Sequence, residues 1–362
     1  MRQIYFATFL AFLLLPTVGL TQVKYISEIK STSKALYSSF NTLQLRQAVF
    51  AMTDTARTYW TNLPVGLKAR VGVSIGNMTD EQRKQVHRIL SAALSSQGYL
   101  KATGIMHLDD LLNRYHDSLY YKKVYNDSIY NRIKSLLWTH RNFYFAFFNT
   151  PKDSLWGFKF EGHHLSLNFT IADNKISVSP FFIGTDPAEY PNTEYAGWRV
   201  LGQEQDLGLK LLSILTPEQK KKATLSTDVP RDIFTNPDSK TRLVNKWGLK
   251  GKEMNIEQKE ILEYIIREYV FNFEYEKANS IYKKIMKDGL GDIYFGWIGA
   301  YEESKAHYYI INGPSFLIEF DNNGNPRDRN NSRGNHIHSI FRIKDNDFGE
   351  DILKTHYEQE KH

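Results

Sequence analysis

The chain has no cysteine among its 362 residues. That absence removes disulfides, thiolate zinc sites, iron–sulfur clusters and cysteine nucleophiles together. It also removes the cysteine to which a bacterial lipid anchor would attach. Apolar runs end early, and no segment after residue 15 approaches the ~20 apolar residues of a membrane-spanning helix. Charge of one sign does not accumulate. The 46 basic and 40 acidic residues are interspersed, no basic block stands out, and a nucleic-acid role has no support.

What is present is enough for a core. The chain is 41% hydrophobic and 24% charged, which excludes global disorder. Its 22 Tyr and 22 Phe favour strands and broad aromatic packing over a helical bundle alone. The start reads separately. Arg2 is the sole charge before Lys24, an apolar run spans Ile4 to Leu15, and small residues follow to Thr21. Residues 1–21 therefore read as a signal peptide, too short for a comfortable membrane span. The mature protein is expected to be secreted or periplasmic, with no membrane span after cleavage.

Two regions follow, a mainly helical one over residues 22–140 and an α+β one over 141–357. In the first, Leu45, Val49, Met52, Ala56, Tyr59 and Leu63 recur at spacings of three and four, which predicts one helix ended by Pro64. Further helices are expected from Thr79, over Asp109–Tyr121 and over Asp127–Trp138. One pattern appears three times: Met78-Thr79-Asp80-Glu81-Gln82, Leu215-Thr216-Pro217-Glu218-Gln219 and Met254-Asn255-Ile256-Glu257-Gln258. In each a Thr or Asn precedes a Gln by three residues, which is capping-box chemistry at a helix start. The sequences after them diverge, so convergence on good capping is favoured over a repeat.

From Asn142 the period shortens. Phe143–Phe148 is an aromatic run. The stretch Trp156–Ile171 alternates, turns at Asp173-Asn174 and returns through Ile176 to Phe182. Helices start at Thr216 and Asn255, and strands resume over 293–300, 307–311, 316–320 and 336–343. Residues 322–335 read as an exposed polar loop. The fold class expected is α+β, with a helical N-terminal part packed on an antiparallel sheet that carries a helical insertion.

Four of eleven histidines fall in tight pairs, His163-His164 and His336-Ile337-His338. Residues two apart on a strand share a face, so His336 and His338 offer two imidazoles to one point. Adjacent His163 and His164 face opposite sides unless Gly162 makes a bulge, so one of them is expected to join a site. Imidazole nitrogen is a common transition-metal ligand. His307, His356, Glu319 and Asp321 are candidates to complete the shell. With only nitrogen and oxygen donors, the cofactor expected is a divalent transition metal such as Zn, Fe or Mn. Glu319 is a candidate further ligand or general base. Arg199 and Arg342 are candidates for orienting an anionic group, although each also reads as an ion pair.

Three motif matches fail on context. Gly72-Val73-Ser74-Ile75-Gly76 spells the hydrolase elbow, but the following helix cap, Thr79, comes too late. Asp347-Phe348-Gly349 lacks the other kinase motifs. Asp321-Asn322-Asn323-Gly324-Asn325 opens like a calcium loop, then places Pro326 where that loop needs glycine.

Several elements occur in one order: Trp156-Gly157-Phe158, Glu161-Gly162-His163-His164-Leu165-Ser166, Gly197-Trp198-Arg199-Val200-Leu201, Ile318-Glu319-Phe320-Asp321-Asn322, Asn335-His336-Ile337-His338-Ser339 and Asn346-Asp347-Phe348-Gly349. In these the chain resembles the exported bacterial family catalogued as domain of unknown function 3500, from about residue 40 to 357. Phe341 departs from the Trp expected in that pattern, and Phe148-Asn149 from a Gly. The resemblance implies export and supplies no activity. The residues themselves point to a metal-dependent enzyme, a hydrolase ahead of an oxidoreductase, acting on an unknown small molecule, glycan or peptide. The alternative is a non-catalytic ligand-binding protein whose Trp156, Trp198, Trp247 or Trp297 stack on sugars.

Overall fold

The alternating aromatic and β-branched stretches build a single mixed sheet, most of the amphipathic stretches cover one face of it, and the C-terminal helix lies against the other. The computed structural model describes residues 18–237, 239, 247–324 and 333–359, with side chains from residue 24 onward. The expected leader lies almost wholly outside the described residues, and the polar loop lies largely outside them. Among the described residues no helix is long and apolar enough to cross a membrane.

The strands are β1 (Val49–Phe50), β2 (Val73–Ser74), β3 (Tyr144–Phe148), β4 (Leu155–Gly162), β5 (Leu165–Ala172), β6 (Lys175–Ser177), β7 (Phe181–Thr185), β8 (Thr224–Ser226), β9 (Leu249–Lys250), β10 (Tyr294–Gly299), β11 (His307–Asn312), β12 (Phe316–Asn323) and β13 (His336–Ile343). The helices are α1 (Val18–Ser39), α2 (Thr42–Ala48), α3 (Asp80–Ala93), α4 (Ser96–Tyr121), α5 (Asp127–Lys134), α6 (Gly202–Ser213), α7 (Pro217–Ala223), α8 (Ile256–Val270), α9 (Tyr275–Asp288) and α10 (Glu350–Gln359). The fold is α+β. Inner strand pairs are antiparallel, and the outer pairs β1–β3 and β8–β10 are parallel.

Strand alternation sorts the side chains. Phe145, Phe158, Phe169, Ile183, Phe341, Phe320 and Tyr309 join the large core under the helices. The opposite face carries Phe182, Ile340, Leu317 and Tyr308, and is covered by Trp60 and Ile233 from two long connections. Trp156 and Trp297 are both fully buried. Neither is available to stack on a sugar.

The expected helix over residues 45–63 does not form. α2 ends at Ala48, Val49–Phe50 pair with the edge of β3, and Asp54 caps a short 3-10 turn. A β-branched and an aromatic residue meet an open strand edge here, and tertiary pairing overrides the helical period. Similarly, the run Trp156–Ile171 is two strands, joined at His163-His164.

The capping motifs turn out to be a repeat. Strand order β1-β3-β4-β5-β7-β13-β12-β11-β10-β8 reads the same from either end once β1 is matched with β8, β3 with β10, β4 with β11, β5 with β12 and β7 with β13. Gly72 before β2 and Gly248 before β9 share left-handed backbones, φ 105° and 101°. A Cβ on either would strike the carbonyl oxygen of Phe145 or Phe295, at 2.4 and 2.2 Å.

The caps agree atom for atom. Gln82 Nε2 donates to Ser39 O (2.8 Å) and Gln44 Oε1 (3.0 Å), and Gln44 Nε2 donates to Asn77 O (3.1 Å). In the second half Gln258 Nε2 donates to Ile214 O (2.9 Å) and Gln219 Oε1 (2.8 Å), and Gln219 Nε2 donates to Glu253 O (2.8 Å). Asn41 supplies a fourth capping box that completes the first set. Divergence after each cap hides the duplication, because the helix exteriors carry no shared constraint.

Each Gln closes a cap and satisfies buried carbonyls. Gln258→Ala and Gln82→Ala should each cost about 2–4 kcal/mol in urea unfolding, the sum of a lost cap and an orphaned buried acceptor. Because the two environments match, the two losses should agree within about 1.5 kcal/mol, the usual spread for one chemistry.

Candidate metal centre

The centre sits at one end of the sheet, where the two halves meet. β4 and β5 are joined by the two-residue turn His163-His164, closed by the pair Gly162↔Leu165. His164 has φ +59°, a conformation uncommon for a non-glycine residue. Its carbonyl accepts from Gly184 N at 2.7 Å, which docks the turn onto β7. β13 lies on the other side of β7, with His338 opposite Gly184. A Cβ on Gly184 would stand 3.2 Å from His338 Cδ2 and 3.3 Å from His164 Cδ2, and only 2.6 Å from Ile337 O. The glycine therefore leaves the space the two rings occupy.

Three imidazole nitrogens converge there. His336 Nε2 is 2.8 Å from His164 Nε2 and 3.1 Å from His338 Nε2. Burial drives the His164 and His336 rings toward the neutral form, reinforced at His164 by the neighbouring imidazoles. His164 falls well below the usual histidine range and His336 falls to about 4. A neutral imidazole has one N–H. His338 Nδ1 faces Asp232 Oδ1 at 2.7 Å, which directs an Nδ1 proton there and leaves Nε2 turned toward the other two rings. His336 Nε2 can donate to one neighbour at most, so lone pairs remain turned inward. The ligand atoms of His164, His336 and His338 lie close enough to hold a metal ion.

Both long connections supply support. Asp232 bonds His338, and Asn62 Nδ2 donates to Asp232 Oδ2 at 2.8 Å. Burial pushes the Asp232 carboxyl up, but His338 and Asn62 pull harder and hold it below the usual range. A carboxylate on the far nitrogen of a ligating histidine fixes its tautomer and raises its basicity. Asn62 is placed by Arg70, whose Nη2 donates to the carbonyls of Thr61 (3.0 Å), Leu63 (2.6 Å) and Gly162 (3.0 Å). Asp232 is placed by Glu319. That buried carboxylate accepts from Phe234 N (2.5 Å), Thr235 N (3.1 Å), Tyr308 OH (2.8 Å) and the Thr235 hydroxyl. Burial raises the Glu319 carboxyl, and the Thr235 and Tyr308 hydroxyls, the Phe234 N–H and the Arg342 charge oppose the rise.

Residues 22–350 match the family described as Protein of unknown function (DUF3500). The chain belongs to this family. No curated protein and no solved structure is significantly similar to it. A DUF3500 member carries no assigned chemistry, so the centre is read from its side chains.

In this DUF3500 chain the sequence-derived candidates separate by location. His164, His336 and His338 come together. His163 stacks on His164, ring centroids 3.7 Å apart, but turns its Nδ1 to Asp109 Oδ1 at 2.7 Å. His307 is on the helix-covered face, stacked on Trp297 and bonded through Nδ1 to Lys305 O, away from the trio. His356 is buried on α10 and is not among the grouped ligands. Asp321 groups instead with Asp232 and His338.

The other polar candidates hold structure. Glu319 anchors the connection that carries Asp232. Arg342 is buried against Asp347 (2.5 Å) and Thr235 (3.0 and 3.1 Å). Arg199 forms a two-pronged pair with Asp206 (2.6 and 3.0 Å) at the edge of a polar cleft.

Asp232, Asn62, Asp109 and Gly184 had no signal in the sequence. Asp232 and Asn62 lie in irregular connections, and Gly184 looks like any strand glycine.

His307 also sets an acid limit on stability. Burial lowers it to about 4 in the folded chain. The unfolded chain binds the proton near 6.5, so stability is full above that pH and drains as pH falls toward 4. At pH 5 the loss is about 2 kcal/mol. His307→Phe should flatten that part of the stability–pH curve measured by urea unfolding.

Proposed function

We propose that the protein is an exported metal-dependent enzyme, a hydrolase, whose metal is held by His164, His336 and His338. The observation that carries this reading is the convergence of three imidazole Nε2 atoms, with one ring oriented by a carboxylate. Three histidines with a free coordination position are the donor set of a catalytic zinc site, and such a metal lowers the pKa of bound water to about 7. The surrounding side chains then have defined work. Asp232 keeps His338 in the ligating tautomer, Gly184 admits the rings, and Arg70 and Glu319 hold the two connections in place. Export is supported by the leader-like residues 1–21.

Chelator-free protein should contain close to one divalent metal per chain by elemental analysis. His336→Ala/His338→Ala should lose it while keeping its circular-dichroism spectrum. Native protein with only trace metal, and no uptake of added Zn²⁺, would sink the reading.

The supporting residues give a graded series. Asp232→Asn should weaken Zn²⁺ binding by about 10–100-fold in chelator competition. Glu319→Gln should weaken it as well, since one accepting oxygen becomes a donor facing the donors of Phe234 and Thr235.

A further inference from the structure

Carboxylates surround the imidazole trio. The first continues β7. Thr185, the last residue of β7, pairs with Ile337, and Asp186 follows it beside the start of β13 at His336. Asp186 is half-buried, and its charge bears on both His336 and Asp109. Asp232 stands 2.7 Å from His338 on a second side. Asp321 lies across from His338 on β12, and Asp109 holds the ring stacked on His164.

Cationic side chains offer little counterweight. The guanidinium that bears on His164 is Arg70, which donates to four backbone carbonyls and faces the Glu161 carboxylate at 3.9 Å. Arg342 and Arg199, the two arginines with the right chemistry to hold an anion, are engaged with Asp347 and Asp206.

We propose that the centre excludes anions, that the substrate group reaching the metal is uncharged or cationic, and that Asp186 enforces this choice. An amide, a neutral ester or a sugar hydroxyl fits such a site, and a free carboxylate or phosphate does not. This inference rests on the metal reading above. Its physical basis is the potential of fixed carboxylates in a partly buried site, where one unit charge several ångströms away changes the local concentration of an anion about tenfold.

Cobalt(II) is the probe, because its visible spectrum reports both occupancy and anion binding at the open position. Cobalt-loaded wild-type protein should bind azide, acetate and inorganic phosphate weakly. Asp186→Asn should keep one cobalt per chain and bind azide about tenfold more tightly. Asp186→Glu, which restores the charge, should return the weak binding. Tight phosphate or acetate binding by the wild type overturns the inference, as does equal azide affinity in wild type and Asp186→Asn. Loss of cobalt from a folded Asp186→Asn also overturns it, since Asp186 would then be a ligand. A wild-type chain that takes up no cobalt sinks the metal reading itself, which separates the two failures.

Discussion

The antiparallel pairing of β7 with β13 is the contact on which the rest depends. It joins the two halves into one sheet, and its register places Gly184 opposite His338. A one-residue slip of β13 would send His336 and His338 to the helix-covered face beside Phe181 and Ile183, and would push Ile337 and Phe341 off it. Burying imidazoles there without polar partners would cost several kcal/mol, of the order seen for unpaired polar groups. The hydrophobic alternation that specifies the sheet therefore specifies the centre as well. The flanking strands add the turn, and the two long connections add Asp232 and Asn62 from above.

Those connections explain why so many charged groups are tolerated beneath them. Glu319, Arg342 and Arg70 are buried, a placement that is unfavourable unless each finds partners. Glu319 has four donors, Arg342 bonds two side chains and a carbonyl, and Arg70 reaches four carbonyls. Their partners are mainly backbone atoms of irregular segments that have no ladder of their own. The buried charges serve as anchors for loop backbone, and the loops in turn orient the imidazoles.

Legibility in the sequence followed the range of the interactions. Strands with strong alternation, such as those of His336–Ile343 and Phe316–Asn323, were visible because period two is local. So were the three capping boxes, each spanning four residues. The likeness between the halves was not, since it lives in contacts between Gln44 and Gln82 or Gln219 and Gln258, far apart along the chain. The turn at His163-His164 was hidden because neither residue is a usual turn former. Even so, the pair His336-Ile337-His338 and one member of His163-His164 could be singled out, since two-residue spacing on a strand is geometry that sequence retains. Their partner Asp232 could not, because no period governs the segment that delivers it.

The duplication also supplies an internal control. By register, the turn Gly162-His163-His164-Leu165 corresponds to Gly313-Pro314-Ser315-Phe316, which closes β11 to β12 in the second half. That hairpin forms in the same sheet with a proline and a serine, and Ser315 has no left-handed backbone. The architecture therefore does not require histidine at this turn, nor the strained φ of His164. Strain of about 1–3 kcal/mol persists only where surrounding structure enforces it, and such residues gather at functional sites. Two halves built on one plan, with imidazoles assembled at only one of the two hairpins, show that the sheet closes this turn without those rings.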